Sequence, residues 1–179
     1  MANNLINNPV GIDSVINKIQ SKLYNSLNTL WGVEIDGFPR CYDIIRDKRK
    51  TIEHYLGNKE YLSLISHDRN KFFFLSNQDY VQNSYSTYDT VIELYFIVNL
   101  SKCKPLLGHR GDEELRLDVI NVLSLVGDIS PNMKIVKGVE NVFKGYSYNL
   151  SDDMQPYHSF KISLTINDFK LNKTNCNGN

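Results

Sequence analysis

The apolar positions of this chain recur with two spacings, and the stretch at 89–100, DTVIELYFIVNL, is the most apolar of all. Read with period two, Ile92, Leu94, Phe96 and Val98 share one face. Val91, Glu93, Tyr95, Ile97 and Asn99 share the other. A fully apolar face backed by a mixed one predicts a central strand at 90–99, covered by a helix on one side and partly covered on the other.

Two segments follow the helical spacing instead. Ile12, Val15, Ile16, Ile19, Leu23, Leu27 and Leu30 fall at i, i+3, i+4 and i+7. They predict an amphipathic helix from Ile12 to Trp31, with Asp13 suiting the positive end of its dipole and Gly32 as its stop. Leu115, Val119, Val122 and Val126, widened by Ile120 and Leu123, predict a second helix at 112–126. Asp112, Glu113 and Glu114 stand in its first turn, and Gly127 is placed to cap it. The cleanest alternation lies at 158–168, where Phe160, Ile162, Leu164 and Ile166 face in and Lys161, Ser163, Thr165 and Asn167 face out.

The rest reads as shorter pieces. Asp36-Gly37 signals a turn, and Pro39 ends whatever precedes it. Strands are expected at 40–46, 71–75, 133–139 and 142–149, a short helix near 51–56, and either helix or strand at 60–66. The polar stretch 76–88 reads as a loop. In 142–149, Val142, Lys144, Tyr146 and Tyr148 alternate with Phe143, Gly145 and Ser147, and this strand is expected to form an antiparallel hairpin with 158–168. The order predicts an α+β fold: a mostly antiparallel sheet with two main helices packed on it and one β-hairpin near the C-terminus. Residues 1–10 read as a flexible N-terminal arm, 11–169 as one domain and 170–179 as a polar tail.

Composition narrows the function classes. The 20 basic and 20 acidic side chains cancel, which argues against a dedicated nucleic-acid binder and against strong attraction to anionic membranes. No apolar run approaches the ~20 residues that cross a bilayer. Cys41, Cys103 and Cys176 are odd in number and widely spaced, which is neither a disulfide framework nor a zinc pattern. A reducing compartment is the simplest expectation, and no leader is apparent in MANNLINNPV.

Candidate chemistry is sparse. No phosphate-binding glycine loop, zinc-protease helix or nucleophile elbow is present. His54, His67, His109 and His158 have no metal-pair spacing, and His67-Asp68 and His109–Glu113 read most simply as polar loops. Arg110-Gly111-Asp112 matches an adhesion tripeptide but stands at a helix entrance. Arg46 and Lys48–Lys50 form the one basic cluster, diluted by Asp43 and Asp47. It reads as a solvated loop, or as a lining past which nucleic acid moves. The 11 tyrosines gather near loops and strand edges, including Tyr80, Tyr85, Tyr88, Tyr146, Tyr148 and Tyr157. Tyrosine is favoured at protein interfaces because it offers apolar area at low entropic cost with a polar tip.

One resemblance draws these parts together. It rests on the long N-terminal helix, the turn Gly37-Phe-Pro-Arg40, the strand ending Phe96-Ile-Val-Asn-Leu100, the acidic-start helix from Arg110-Gly-Asp-Glu-Glu-Leu-Arg116, and the closing strand from Phe160 to Ile166. In that order the chain resembles the tail-terminator and tail-completion (neck) proteins of tailed bacteriophages over most of residues 10–170. Residues 60–88 and the Asn-rich tail have no counterpart. The resemblance implies a structural virion protein without catalysis, cofactor or metal. Such proteins form a homo-oligomeric ring, most often a hexamer, with sheets edge to edge and helices outside. They sit on the tail tube, end its polymerisation and join it to the neck, with DNA passing through.

Partners would be the tail tube protein and a neck or head-completion protein. The location would be the virion, and the host cytoplasm during assembly. Candidate contact residues are Tyr80, Tyr85 and Tyr88 in a loop ordering against a neighbour. Lys134, Lys137, Lys144, Met154 and Tyr157 are candidates for contact with tube or neck. Two alternatives stay open: another head–tail connector such as a stopper, and a small cytosolic enzyme or ligand binder. The second implies a monomer or dimer with a polar pocket and a strongly perturbed ionisable group.

Overall fold

The structure is a computed structural model that describes residues 2–46, 48–66, 69–76, 79–104, 110–127, 129, 133–148 and 156–171. In chain order the elements are α1 (Ile12–Trp31), β1 (Asp36–Arg46), β2 (Arg49–Gly57), β3 (Glu60–Ser63), β4 (Lys71–Leu75) and β5 (Val81–Gln82). There follow β6 (Thr87–Asn99), α2 (Leu100–Cys103), α3 (Gly111–Ser124), β7 (Lys134–Lys137), α4 (Val139–Val142) and β8 (Tyr157–Lys170). The strands form one sheet in the order β3-β2-β1-β4-β6-β8-β7, with β5 also paired to β6. Only the β1–β4 pair is parallel, so the fold is α+β with a mixed, mostly antiparallel sheet.

The spine is the pair β6–β8, in register from Thr87 opposite Lys170 to Asn99 opposite Tyr157. Both alternate as the sequence predicts. Ile92, Leu94, Phe96 and Val98 join Phe160, Ile162, Leu164 and Ile166 in one core beneath α1 and α3. The opposite face of β6 is covered too: Tyr95 and Ile97 pack with Phe73, Leu75, Val139, Val142 and Phe143 in a second core. α1 buries Ile12, Val15, Ile16, Ile19, Leu23, Leu27 and Trp31, and Gly32 closes it in the left-handed conformation at φ 61°. Leu30, expected on that stripe, is exposed, and Trp31 takes its place at the core.

Several expectations need correction. The helix expected near 51–56 is β2. Ile52 and Glu53 are buried there, and Thr, Ile and Tyr suit a half-buried strand. What turns the chain is Asn58-Lys59, with φ of 49° and 66°, the left-handed pair of a two-residue hairpin turn that lays β3 on β2. The strand expected from Arg40 starts at Asp36 and runs through Pro39. The register to β4 shifts between Phe38 and Arg40, so the missing proline N–H falls at an irregularity. The loop expected at 76–88 contains β5 and the start of β6.

The strand expected at 142–149 is absent as far as Tyr148. Val139–Val142 is a short helix followed by turns, and β7 takes the side of β8 that β6 leaves open. Alternation misled there because it sets Val142 and Phe143 on opposite faces, whereas both are buried and Phe143 stacks on Tyr95 at 5.8 Å. α3 ends at Ser124, and its end is closed without a left-handed Gly127.

The arm at 2–10 is docked. Gly37 N–H donates to Ala2 O at 3.0 Å, and Asn4 N–H donates to Gly37 O at 2.9 Å. This extends the β1 edge where β2 has diverged. Gln20, fully buried, donates from Nε2 to Asn3 Oδ1 and Gly37 O. Gly37 permits the approach: a Cβ there would lie 2.8 Å from Phe72 Cζ.

Candidate interaction surfaces

The tyrosine loop is an ordered β-hairpin. Val81 and Gln82 pair with Asp89 and Tyr88, and the turn between them is pinned by side chains. Asn83 Nδ2 donates to Asp89 Oδ1 at 2.8 Å and to Asp168 Oδ1 at 2.9 Å. Thr87 Oγ1 donates to Asn83 Oδ1, and Ser84 N–H donates to Thr87 O at 3.5 Å. From this support Tyr85 projects 98% exposed. Tyr80 and Tyr88 are less free, both lying against Phe169 at ring distances of 5.0 and 6.1 Å. The Tyr80 hydroxyl also accepts from Arg40.

The other expected contact residues are dispersed. Lys134 and Lys137 are exposed on β7, and Lys137 Nζ pairs with Glu113 at 3.1 Å. Lys144 is exposed in the turn after α4. Tyr157 opens β8 half-buried, opposite Asn99. Met154 lies outside the described residues. The structure therefore brings Tyr80, Tyr85 and Tyr88 together at one end of the sheet and Lys134 and Lys137 together on its far edge. Lys144 and Tyr157 join neither group.

Pattern reading missed the most exposed apolar surface. Register puts Tyr42, Tyr55 and Tyr61 on one face of the leaf made by β1, β2 and β3, and Ile45, Leu56 and Leu62 on the other. All six are exposed, Ile45 to 73%. Ile52 and Leu64 anchor the leaf in the second core. The basic cluster sits at its turn: Lys48 and Arg49 are exposed, while Lys50 is tied to Asp43 at 2.7 Å and lies 4.7 Å from the Tyr146 ring. Asp43 holds the Lys50 ammonium above its ordinary pKa. The signal that could have revealed the leaf is the hairpin turn at Asn58-Lys59.

The ionisable groups expected to hint at chemistry hold the fold. Arg116, 2% exposed, pairs with Asp112 at 3.0 Å and with Glu113, and its Nη1 meets His158 Nε2 at 2.8 Å. Burial pushes the Asp112 carboxyl up, but the Arg110 and Arg116 guanidiniums overcome it and hold it at about 2. Arg116 and Lys137 likewise hold Glu113 at about 2. The acidic start of α3 is thus a clamp to β7 and β8. Lys104 bridges Glu114 and Asp118 at 2.6 and 2.7 Å, and Asp118 also accepts from Trp31 Nε1. Glu93 accepts from Lys161 and from the Tyr95 hydroxyl, both at 2.6 Å, and burial above all drives the Tyr95 pKa upward.

Burial also pushes up the thiol pKa of Cys41, and that of Cys103 to about 12, so both stay protonated and unreactive. Burial lowers the His54 pKa, and its ring packs edge-on against Phe38 at 5.3 Å. His67 and His109 lie outside the described residues. Among the described residues no three His, Cys, Asp or Glu side chains gather as a metal site.

A polar cleft of about 570 Å³ lies where α1 ends, lined by Glu34, Asp36, Arg69, Asn70, Lys102 and Tyr157 among others. Its best-buried groups are committed to the chain. Asp36 accepts from Ala2 N–H at 2.8 Å, and Asn70 joins Glu34 O to Asn99 N–H at 3.0 and 2.7 Å. The groups with strongly displaced pKa values, Cys41, Tyr95, Cys103, Asp112 and Glu113, all lie outside it. Among the described residues no helix is long and apolar enough to cross a membrane. No protein-family model matches this chain, and no curated protein matches it.

Proposed function

We propose that this chain is a non-enzymatic structural protein that assembles with copies of itself into a ring, and that the ring caps a phage tail tube and joins it to the neck. The observation that carries the assembly reading is the sheet's open construction. Its end strands β3 and β7 are four residues each and, among the described residues, each pairs on one side only. Unlike edges at opposite ends of one sheet favour a head-to-tail contact, which closes into a ring when the rotation per subunit divides a full turn. Exposed aromatic residues beside one edge give such a contact its apolar area.

The tail-terminator assignment comes from the resemblance in the order of parts, and a hexamer is its expected ring. Buried thiols and ion pairs spent on packing support a role without catalysis. In this reading the two faces of the ring meet tube protein and a neck or head-completion protein, DNA passes through the opening, and the protein resides in the virion. The test is addition of the purified chain to polymerising tail tubes. Tubes whose length stops growing, with a ring at one end in negative stain, are the expected result. Tubes that grow unchanged and bind no chain refute the terminator role.

A further inference from the structure

We propose that the leaf of β1, β2 and β3 in one copy docks onto the Tyr85 hairpin of a second copy, with its basic turn against an acidic corner. This rests on the self-assembly reading and names the surfaces that carry it.

The sheet is forked at one end. β4 stops at Leu75, level with Cys41 on β1 and Glu93 on β6. Beyond that level β1 continues to Arg46 and pairs with β2, while β6 reaches back to Thr87 and pairs with β5 and β8. At ~3.3 Å per residue, each prong extends about 15–20 Å past β4. The prongs lie on opposite sides of β4 in the strand order. Copies set side by side with the same polarity therefore bring the leaf of one toward the hairpin of the next.

The two prongs carry opposite charge. On the leaf, Lys48, Arg49 and Lys59 are exposed against the exposed Glu60 carboxylate, while Asp43 is spent on Lys50 and Glu53 is buried. On the hairpin prong, Asp79 and Asp168 are exposed and Asp89 is half-buried. Asp89 and Asp168 accept bonds from neutral donors: Asn83, Thr87 and the Asp168 backbone. No described cation forms an ion pair with the three carboxylates. Lys170 is exposed at the same end, which leaves an acidic excess.

Both prongs are also aromatic. Tyr42, Tyr55 and Tyr61 are exposed on the leaf, the last two in ring contact at 5.1 Å, and Tyr85 stands out from a turn that is already pinned. An aromatic group held in place before contact loses little entropy on binding, which is the setting of a binding hot spot. Opposite charges around such a centre speed encounter and exclude the leaf–leaf alternative. The acidic prong beside the leaf disfavours a polyanion there, so a second copy fits better than nucleic acid.

The test mixes isotopically labelled and unlabelled full-length chain, cross-links carboxyls directly to amines with a carbodiimide, and follows assembly by sedimentation. Mixed-isotope links from Lys48 to Asp79 or Asp168 are expected, with assembly weakening as salt is added. The paired substitution Lys48→Glu/Arg49→Glu should weaken assembly at least ten-fold, as should Asp79→Lys/Asp168→Asn. Asn tolerates the φ of 55° at position 168. The two variants mixed together should assemble again. Variants that assemble as the parent does, with no such links, overturn this contact and leave the ring reading standing. A parent that never associates and never links between copies overturns both. Parent mass unchanged by the leaf substitutions, with binding to single-stranded DNA lost, assigns the leaf to nucleic acid and overturns the contact.

Discussion

Replacing Phe143 by Ala tests the second core of the observed fold. In the strand expected at 142–149, Phe143 and Lys144 stand on opposite faces, with neither face assigned to the core. In the structure Phe143 is fully buried, stacked on Tyr95 at 5.8 Å, and Lys144 is exposed. Burying a Phe side chain contributes about 1.5–3 kcal/mol, and the cavity left by truncation adds to the loss. Phe→Ala in a core costs about 3–5 kcal/mol. A surface substitution stays within about 0.5 kcal/mol. Urea unfolding followed by circular dichroism reads the difference. With a slope of about 2 kcal/mol per molar, F143A should lower the midpoint by about 2 M and K144A by about 0.3 M or less. Should F143A leave too little folded protein, Phe143→Leu keeps most of the volume and should lose about 1–2 kcal/mol. An F143A midpoint near the parent's, with K144A strongly destabilised, would refute the placement of α4 and the second core built on it.

Four further outcomes follow from named contacts. Asp118→Ala removes the acceptor of the chain's only Trp, so stability should fall by about 1–3 kcal/mol and the Trp31 emission should shift. Asp112 is depressed to about 2 from its ordinary 3.8, so its contribution is full above pH 4 and lost as pH falls toward 2. Asp112→Asn should therefore flatten the acid limb of a stability–pH curve between pH 4 and 2, and an unchanged limb would count against the clamp. Gly37→Ala puts a Cβ 2.8 Å from Phe72 Cζ, so hydrogen exchange at Asn4 should quicken as the arm loosens. Cys41 and Cys103 are buried and should resist thiol reagents at pH 8 until the protein unfolds. Fast native modification of either would contradict their placement.

The long elements were legible because burial on one side imposes a period over many residues. α1, α3, β6 and β8 each hold four or more core positions at a single spacing. Short elements lack that repetition. β2 looked helical because Ile52, Tyr55 and Leu56 also fit a helical face, and the decisive feature was the left-handed turn after it. The segment after β7 looked extended because four residues alternated by chance, whereas Phe143 was drawn into the gap beside Tyr95. Of the surface, Tyr85 was legible from composition, since nothing apolar follows its period. The leaf was not, because its exposure depends on β1 leaving β4 for β2, a pairing that no local pattern encodes.

Self-assembly is the claim on which the functional reading stands, and the mass of the purified chain in solution tests it most directly. Light scattering after size exclusion, from micromolar to near-millimolar protein, with negative-stain images of the same fractions, is the measurement. A closed ring, six copies in the simplest case, is the expected result. A chain that remains monomeric across the whole range, with no rings in the images, would contradict the account.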